Sequence, residues 1–261
     1  MQNDGRSPPP LPTSKNEWAL FLDVDGTLAA FEPRPEQVVI PERTLSSLAQ
    51  LKESMGGAVA IVSGRPIEQI DRLFTPLVLP AGGLHGLEWR NAQSCLIERP
   101  GPPHWHGDIL AALRTFASEN PGARVEDKSI TLALHYRQAP DLHGAAQALA
   151  ERLNTYGHTG LVIQTGKMIV EFRPQGADKG DAIARFLDQA PFAGRRPIFL
   201  GDDATDEHGF HVVKKAGGYA VRIGNEGETA ADWCLPTVED SGRWLADVAH
   251  LFRDQSAMEK E

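Results

Sequence analysis

Acidic residues in this 261-residue chain gather directly after short apolar runs. Asp23 and Asp25 follow the run Trp18 to Leu22, and Asp202 and Asp203 follow the run in RPIFLGDD. Ser63 stands after a third run, AVAIV, and Lys179 stands at the start of a helical stretch behind Asp178. Carboxylates crowded together repel one another, and their pKa values rise unless a cation is present. A hard divalent cation satisfies them, and Mg2+ takes a few carboxylates together with waters and substrate phosphate oxygens. Lys179 adds a fixed positive charge, and the N-terminus of its helix favours an anion.

Together these groups suit phosphoryl transfer. A phosphate monoester resists uncatalysed hydrolysis, so a catalyst must neutralise its charge and position a nucleophile. Asp23 is expected to attack phosphorus and form an aspartyl-phosphate, which splits the reaction into two easier steps. Asp25, two residues on, is expected to protonate the leaving oxygen and then to activate the water that hydrolyses the intermediate. Gly26 lets the turn approach the phosphate, and the Thr27 hydroxyl or amide donates to its oxygens. Ser63, with Gly64 beside it, donates a further hydrogen bond, and Lys179 balances charge in the transition state.

These residues need elements that bring them together. Trp18 to Leu22 reads as a strand buried on both faces of a parallel sheet, with chemistry at its C-terminal end. Pro41 opens a helix with Leu45, Leu48 and Leu51 on one face, closed by Gly56 and Gly57. AVAIV is a second buried strand, and Pro66 opens a helix whose buried stripe is Ile67, Ile70, Leu73 and Phe74. Strand and helix alternation is the signature of a doubly wound, mostly parallel α/β sheet. Ligands bind outside the carboxyl ends of such strands, so Asp23, Ser63 and Asp202 should meet there.

From about Leu87 to Arg173 the pattern changes to α+β. Ile130, Leu132, Leu134 and Tyr136 alternate with Thr131, Ala133 and His135, as in a half-buried antiparallel sheet. A helix around Leu142 to Tyr156 and the strands LVIQT and MIVEF complete the segment. His104 and Trp105, beside two prolines, read as loop. After Pro174 the α/β pattern resumes, with Asp178 and Thr205 as helix caps. The expected division is a Pro-rich disordered tail at 1–16, a core at 17–87 and 174–261, and an inserted cap at 88–173. The crossings near 86–90 and 172–177 are the expected hinges.

The bulk numbers narrow the class. A net charge of -9 argues against nucleic acid, whose phosphates need a basic footprint. No apolar run reaches the ~18 residues of a membrane span, and the N-terminus lacks a secretory layout. Cys95 and Cys234 lie outside any metal-ligand spacing, so both read as buried, reduced thiols in a cytoplasmic setting; a monomer is expected.

DVDGT at 23–27, IVSGR ending at Arg65, Lys179-Gly180 and GDDATDE at 201–207 resemble the four ordered motifs of the haloacid dehalogenase-like phosphatases. GLHG at 83–86, Glu126 and Lys128, HYRQ at 135–138 and GKMIVEFRP at 166–174 are similar to the trehalose-phosphate phosphatases within that superfamily, from Trp18 to Phe252. The resemblance implies hydrolysis of trehalose 6-phosphate, in trehalose biosynthesis, with Mg2+ as cofactor and that sugar phosphate as the small-molecule partner. It implies a metal held by Asp23, the backbone carbonyl of Asp25 and Asp202, with Asp203 and Asp206 as outer supports. It implies sugar contacts from Glu126, Lys128, Arg137, Lys167 and Glu171, and Arg65 and His85 join them as candidates. Helix capping competes for Asp203 and Asp206, and strand-surface ion pairs compete for the cap residues. Another sugar phosphate, of sucrose or mannosylglycerate type, remains an alternative, as does a non-catalytic module that binds a sugar phosphate.

Overall fold

A computed structural model describes residues 7–258 except 33, 94–96, 167 and 226. The chain begins with β1 (Trp18–Leu22), α1 (Glu42–Ser54), β2 (Val59–Val62), α2 (Ile67–Phe74), β3 (Ala81–Gly83) and β4 (Glu88–Arg90). It continues with α3 (His106–Glu119), β5 (Arg124–Asp127), β6 (Leu132–His135), α4 (His143–Thr155), β7 (Leu161–Gly166) and β8 (Ile169–Pro174). It ends with α5 (Lys179–Leu187), β9 (Arg196–Gly201), α6 (Glu207–Lys215), β10 (Tyr219–Ile223), β11 (Trp233–Leu235) and α7 (Val238–Met258).

Two compact units result: Met1–Glu98 with Asp178–Glu261, and Arg99–Ala177. The larger unit holds a seven-stranded sheet in the order β11-β10-β9-β1-β2-β3-β4, parallel except for the β3–β4 pair. Every residue of β1 and β2 is buried, as a sheet covered by helices on both faces requires. Helix α1 packs on α7, and α5 packs on α6. Phe21 of β1 meets Phe186 of α5 and Phe192, which ties a central strand to the helix that carries Lys179. The order β9-β1-β2 sets Asp202, Asp23 and Ser63 on adjacent strand ends, as the alternation of elements predicts.

The smaller unit is a four-stranded antiparallel sheet in the order β5-β6-β8-β7. Leu132, Leu134, Val170 and Phe172 turn one face toward Ile109 and Leu113 of α3 and Leu149 and Leu153 of α4. The fold class is therefore the one expected: a doubly wound, mostly parallel sheet with an inserted α+β unit.

Several expectations need correction. The crossings fall at 98/99 and 177/178 rather than 87/88 and 173/174, because β4 pairs with β3 and Trp89 bridges Glu98 within the larger unit. Residues 106–119, given no element from sequence, form α3, and Ile109, Leu113 and Phe116 at helical spacing were its signal. Trp105, expected in a loop, is buried at the start of that helix. Residues 7–16 of the expected disordered tail are bound to the core. Pro9 and Pro12 are buried, the Pro9 carbonyl accepts from the Trp244 indole at 3.1 Å, and the Ser7 carbonyl accepts from the Cys234 amide at 3.1 Å. Cys234 is buried, as expected, and its thiol faces the Gly224 carbonyl at 3.2 Å. Cys95 lies outside the described residues. Among the described residues no helix is long and apolar enough to cross a membrane.

Removing residues 1–12 deletes both of those hydrogen bonds, each worth about 1 kcal/mol. The melting temperature should fall by roughly 4–8 °C. An unchanged melting temperature would show that this segment lies on the core without contributing to its stability.

Candidate active site

Lys179 is the centre of the site. Asp178 caps α5 by accepting from the Asp181 amide at 2.9 Å, and Asp181 returns a bond to the Asp178 amide. This capping box fixes the first turn of the helix, so Lys179 enters the interior at a set position. Its side chain is 3% exposed, and Nζ donates to Asp23 Oδ1 at 2.9 Å and to Asp206 Oδ1 at 2.7 Å. Burial opposes the ammonium charge, but the carboxylates of Asp206, Asp23 and Asp203 outweigh it and push the Lys179 pKa well up.

Asp206 is fully buried and joins two parts of the site. While Oδ1 takes the ammonium, Oδ2 accepts from the amides of Asp202 and Asp203 at 2.9 and 3.0 Å. A Cβ on Gly201 would lie 2.4 Å from the Asp206 carboxyl carbon, so only glycine admits this side chain. Thr205 is not the helix cap expected of it: α6 starts at Glu207, and the Thr205 hydroxyl and amide both donate to Asp203 Oδ1. Burial raises the Asp203 carboxyl, but Lys179 and the Thr205 donors win and hold it below the usual range.

Asp23, Asp202 and Asp206 each offer a carboxylate oxygen within 4.8 Å of the others. Burial pushes Asp23 up to about 7, against the pull of Lys179 and with Asp202 and Asp203 adding to the rise. Burial pushes Asp202 to about 8, with Asp206 and Asp203 adding and Lys179 opposing. Gly26 has a φ of +80°, and a Cβ there would lie 2.2 Å from Asp202 Oδ2. Glycine is thus needed both for the turn and for the close approach. The Thr27 hydroxyl is buried without a hydrogen-bond partner among the described residues.

The loop after β2 completes the site. Ser63 is buried, and its Oγ accepts from the Arg65 amide at 3.2 Å, which leaves the hydroxyl proton to donate elsewhere. Arg65, expected at the sugar, instead grips Asp25 through both forks, Nε to Oδ2 at 2.7 Å and a terminal nitrogen to Oδ1 at 2.6 Å. Leu84 and His85 are left-handed, with φ of 49° and 59°. Such backbone is costly outside glycine and persists where surroundings impose it. Here their amides donate to the carbonyls of Arg65 and Ser63 at 3.0 and 2.9 Å. His85 is buried, with its ring close against Gly64.

Five sugar candidates were drawn from the smaller unit. Glu126, Lys128 and Glu171 share one face of its sheet, where Lys128 Nζ lies 3.5 Å from Glu171 Oε1. Arg137 is exposed just past β6, and Lys167 lies outside the described residues. His135, which the sequence left without a role, is 2.9 Å from Glu126 Oε2.

Asp206→Ala would strip Lys179 and two loop amides of their acceptor, at about 3–5 kcal/mol. Asp203→Ala, on a half-exposed carboxylate, should cost about 1 kcal/mol or less. Denaturant unfolding of both variants without divalent cations checks this, and equal losses would mean that Asp206 does not carry the loop.

Comparison with known proteins agrees with this geometry. The family model described as trehalose-phosphatase matches residues 21–239. The chain is 43% identical over 246 residues to the trehalose-6-phosphate phosphatase of Escherichia coli (strain K12), covering 94% of this chain and 91% of that protein. It is 42% identical over 217 residues to a probable trehalose-phosphate phosphatase of Sinorhizobium fredii, covering 82% and 80%. The solved C-terminal domain of the Candida albicans trehalose-6-phosphate phosphatase superposes with a TM-score of 0.82 over 90% of this chain and 93% of that one, and at 21% identity it speaks to the fold alone. With a family model spanning both units and relatives matched along nearly their whole length, the chain belongs to the trehalose-phosphatase family.

Proposed function

We propose that the chain is a Mg2+-dependent phosphatase that hydrolyses trehalose 6-phosphate to trehalose and phosphate through an aspartyl-phosphate on Asp23. The observation that carries this reading is the buried ammonium of Lys179 bonded to Asp23, at a strand end crowded with acids. The substrate is supported by the names of the relatives from E. coli and S. fredii.

The donor set fits a hard divalent cation. Asp23 and Asp202 offer carboxylate oxygens whose pKa values burial raises, so a bound cation would favour their charged forms in this dry site. They would hold the ion together with the backbone carbonyl of Asp25, while Asp206 and Asp203 shape the loop behind them. Bound there, Mg2+ supplies charge neutralisation at the phosphoryl oxygens.

This chain's own residues then divide the work. An Asp23 oxygen bonds to phosphorus as the phosphorus–sugar oxygen bond breaks, and Lys179 keeps that carboxylate charged and aimed. Asp25 gives a proton to the leaving sugar oxygen and takes one back from the water that cleaves the aspartyl-phosphate. A carboxylate gripped by both forks of Arg65 is an acceptor, so acting as an acid requires it to turn from that guanidinium. Ser63, Gly64, Gly26 and Thr27 line the phosphate, the hydroxyls of Ser63 and Thr27 donating to it. Glu126, Lys128, Arg137, Lys167 and Glu171 bind sugar hydroxyls, and charged groups do so strongly.

Phosphate release from trehalose 6-phosphate, sucrose 6-phosphate, glucose 6-phosphate and p-nitrophenyl phosphate, with and without Mg2+, tests the reading. Trehalose 6-phosphate should lead, and a chelator should abolish turnover. Equal rates on glucose 6-phosphate and trehalose 6-phosphate would sink the substrate claim. Asp23→Asn should abolish turnover with the fold intact, and an active variant would overturn the nucleophile.

The acids also predict a pH dependence. Raised folded-state pKa values mean that, without Mg2+, the folded protein holds protons the unfolded chain lacks between the ordinary carboxylate range and about 8. That contribution to stability is lost as pH rises through this window. Mg2+ replaces those protons, so its upward shift of the melting temperature should be larger at about pH 8 than at about pH 6. An equal or opposite trend would remove Asp23 and Asp202 from the metal site.

A further inference from the structure

The segment from β3 into β4 holds the loop after β2 at four points. Three are made by main chain: the Ser63 amide donates to the Gly82 carbonyl at 2.9 Å, the His85 amide to the Ser63 carbonyl at 2.9 Å, and the Leu84 amide to the Arg65 carbonyl at 3.0 Å. The fourth is made by a side chain. Glu88, 3% exposed in β4, accepts from the Ile67 amide through Oε2 at 2.6 Å. Ile67 opens α2 behind Pro66, and a proline at the cap has no side-chain acceptor for the first helical amides. The buried carboxylate supplies one from another element, at the helix end that favours negative charge. Gly83 permits this approach, since a Cβ there would lie 2.9 Å from the Arg65 carbonyl oxygen and the Ile67 amide nitrogen.

These ties divide the loop into two parts. Ser63 is held by main chain at both its amide and its carbonyl. Arg65 lies between the Leu84 tie and the Glu88 tie, and the fixed φ of Pro66 passes the position of the Ile67 amide back to it. Its guanidinium grips both oxygens of Asp25 at 2.7 and 2.6 Å. That grip suits the charged carboxylate, the form that takes a proton from the attacking water, and an ionised carboxylate oxygen has a second lone pair for that water.

We infer that Glu88 is a positioning residue for Arg65, and through it for Asp25 as the base that hydrolyses the aspartyl-phosphate. The inference rests on the two-step reading above and assigns Glu88, absent from that reading, to its second step. There a proton passes from water to the Asp25 carboxylate, the water oxygen bonds to phosphorus, and the bond from phosphorus to the Asp23 oxygen breaks.

Glu88→Ala in the full chain with Mg2+, assayed on p-nitrophenyl phosphate, tests it. Nitrophenolate leaves readily without a proton, so kcat/KM reports formation of the aspartyl-phosphate and kcat reports its hydrolysis. General base catalysis contributes ~10²–10⁴-fold, so a displaced base should lower kcat roughly tenfold and leave kcat/KM within about twofold. A burst of nitrophenolate and more phosphorylated chain after acid quench should accompany the loss. In an Arg65→Ala chain, Glu88→Ala should lower kcat no further. Three results overturn the relay: an unchanged kcat, equal losses in kcat and kcat/KM as an inactive fraction gives, or a loss that adds to that of Arg65→Ala. Should Glu88→Ala fail to fold, Glu88→Asp, one methylene short of the Ile67 amide, decides by the same criteria. Asp25→Asn lacks the base altogether and must show the burst; without it the parent reading of Asp25 fails instead.

Discussion

One buried ammonium holds the catalytic end of the larger unit together. Lys179 is bonded to Asp23 on one strand end and to Asp206 behind another. Without a cation these carboxylates could not share so dry a space. The surrounding sequence serves that contact. The Asp178 capping box starts α5 at a fixed residue, and Gly180 lets the helix lie close to the His208 carbonyl of α6, 2.8 Å from where a Cβ would stand. Gly201 makes room for Asp206. Each of these is a local choice that has meaning only through the bond to Lys179.

A second constraint acts from the other side of β1. Ser63 and Arg65 lie on a loop tied by the amides of Leu84 and His85, two residues in left-handed backbone. Strain of that kind is kept where it fixes geometry. Its result is a guanidinium aimed at both oxygens of Asp25, so that carboxylate is oriented by a partner forty positions away.

What was legible in the sequence follows from how local each signal is. The convergence of Asp23, Ser63 and Asp202 on adjacent strand ends was legible because a buried parallel strand ends abruptly and leaves a polar residue at the carboxyl edge of the sheet. Asp178 as a cap and Lys179 beside it were equally local. Asp206 looked like a helix-capping or outer-shell acid, and its actual work, accepting from Lys179 and two loop amides, depends on a tertiary contact that no spacing encodes. The Arg65–Asp25 pair was hidden for the same reason. The unit boundaries were misplaced because β4 is three residues long and its antiparallel pairing with β3 leaves little pattern. Helix α3 was overlooked although its apolar spacing was present. The segment 7–16, Pro-rich and polar, carries a composition typical of disorder, yet two of its prolines are buried and its carbonyls are used by the core.

The bonds from Asp206 to the amides of Asp202 and Asp203 bear on which ion the family's acids can select. A ligand loop clamped by the protein's own hydrogen bonds cannot spread to gather seven or eight oxygens. Calcium coordination is large and pliable, whereas magnesium demands a small, near-octahedral shell. Under the Mg2+ reading proposed above, rigidity behind Asp202 would act as a size filter, set by the loop amides that Asp206 holds.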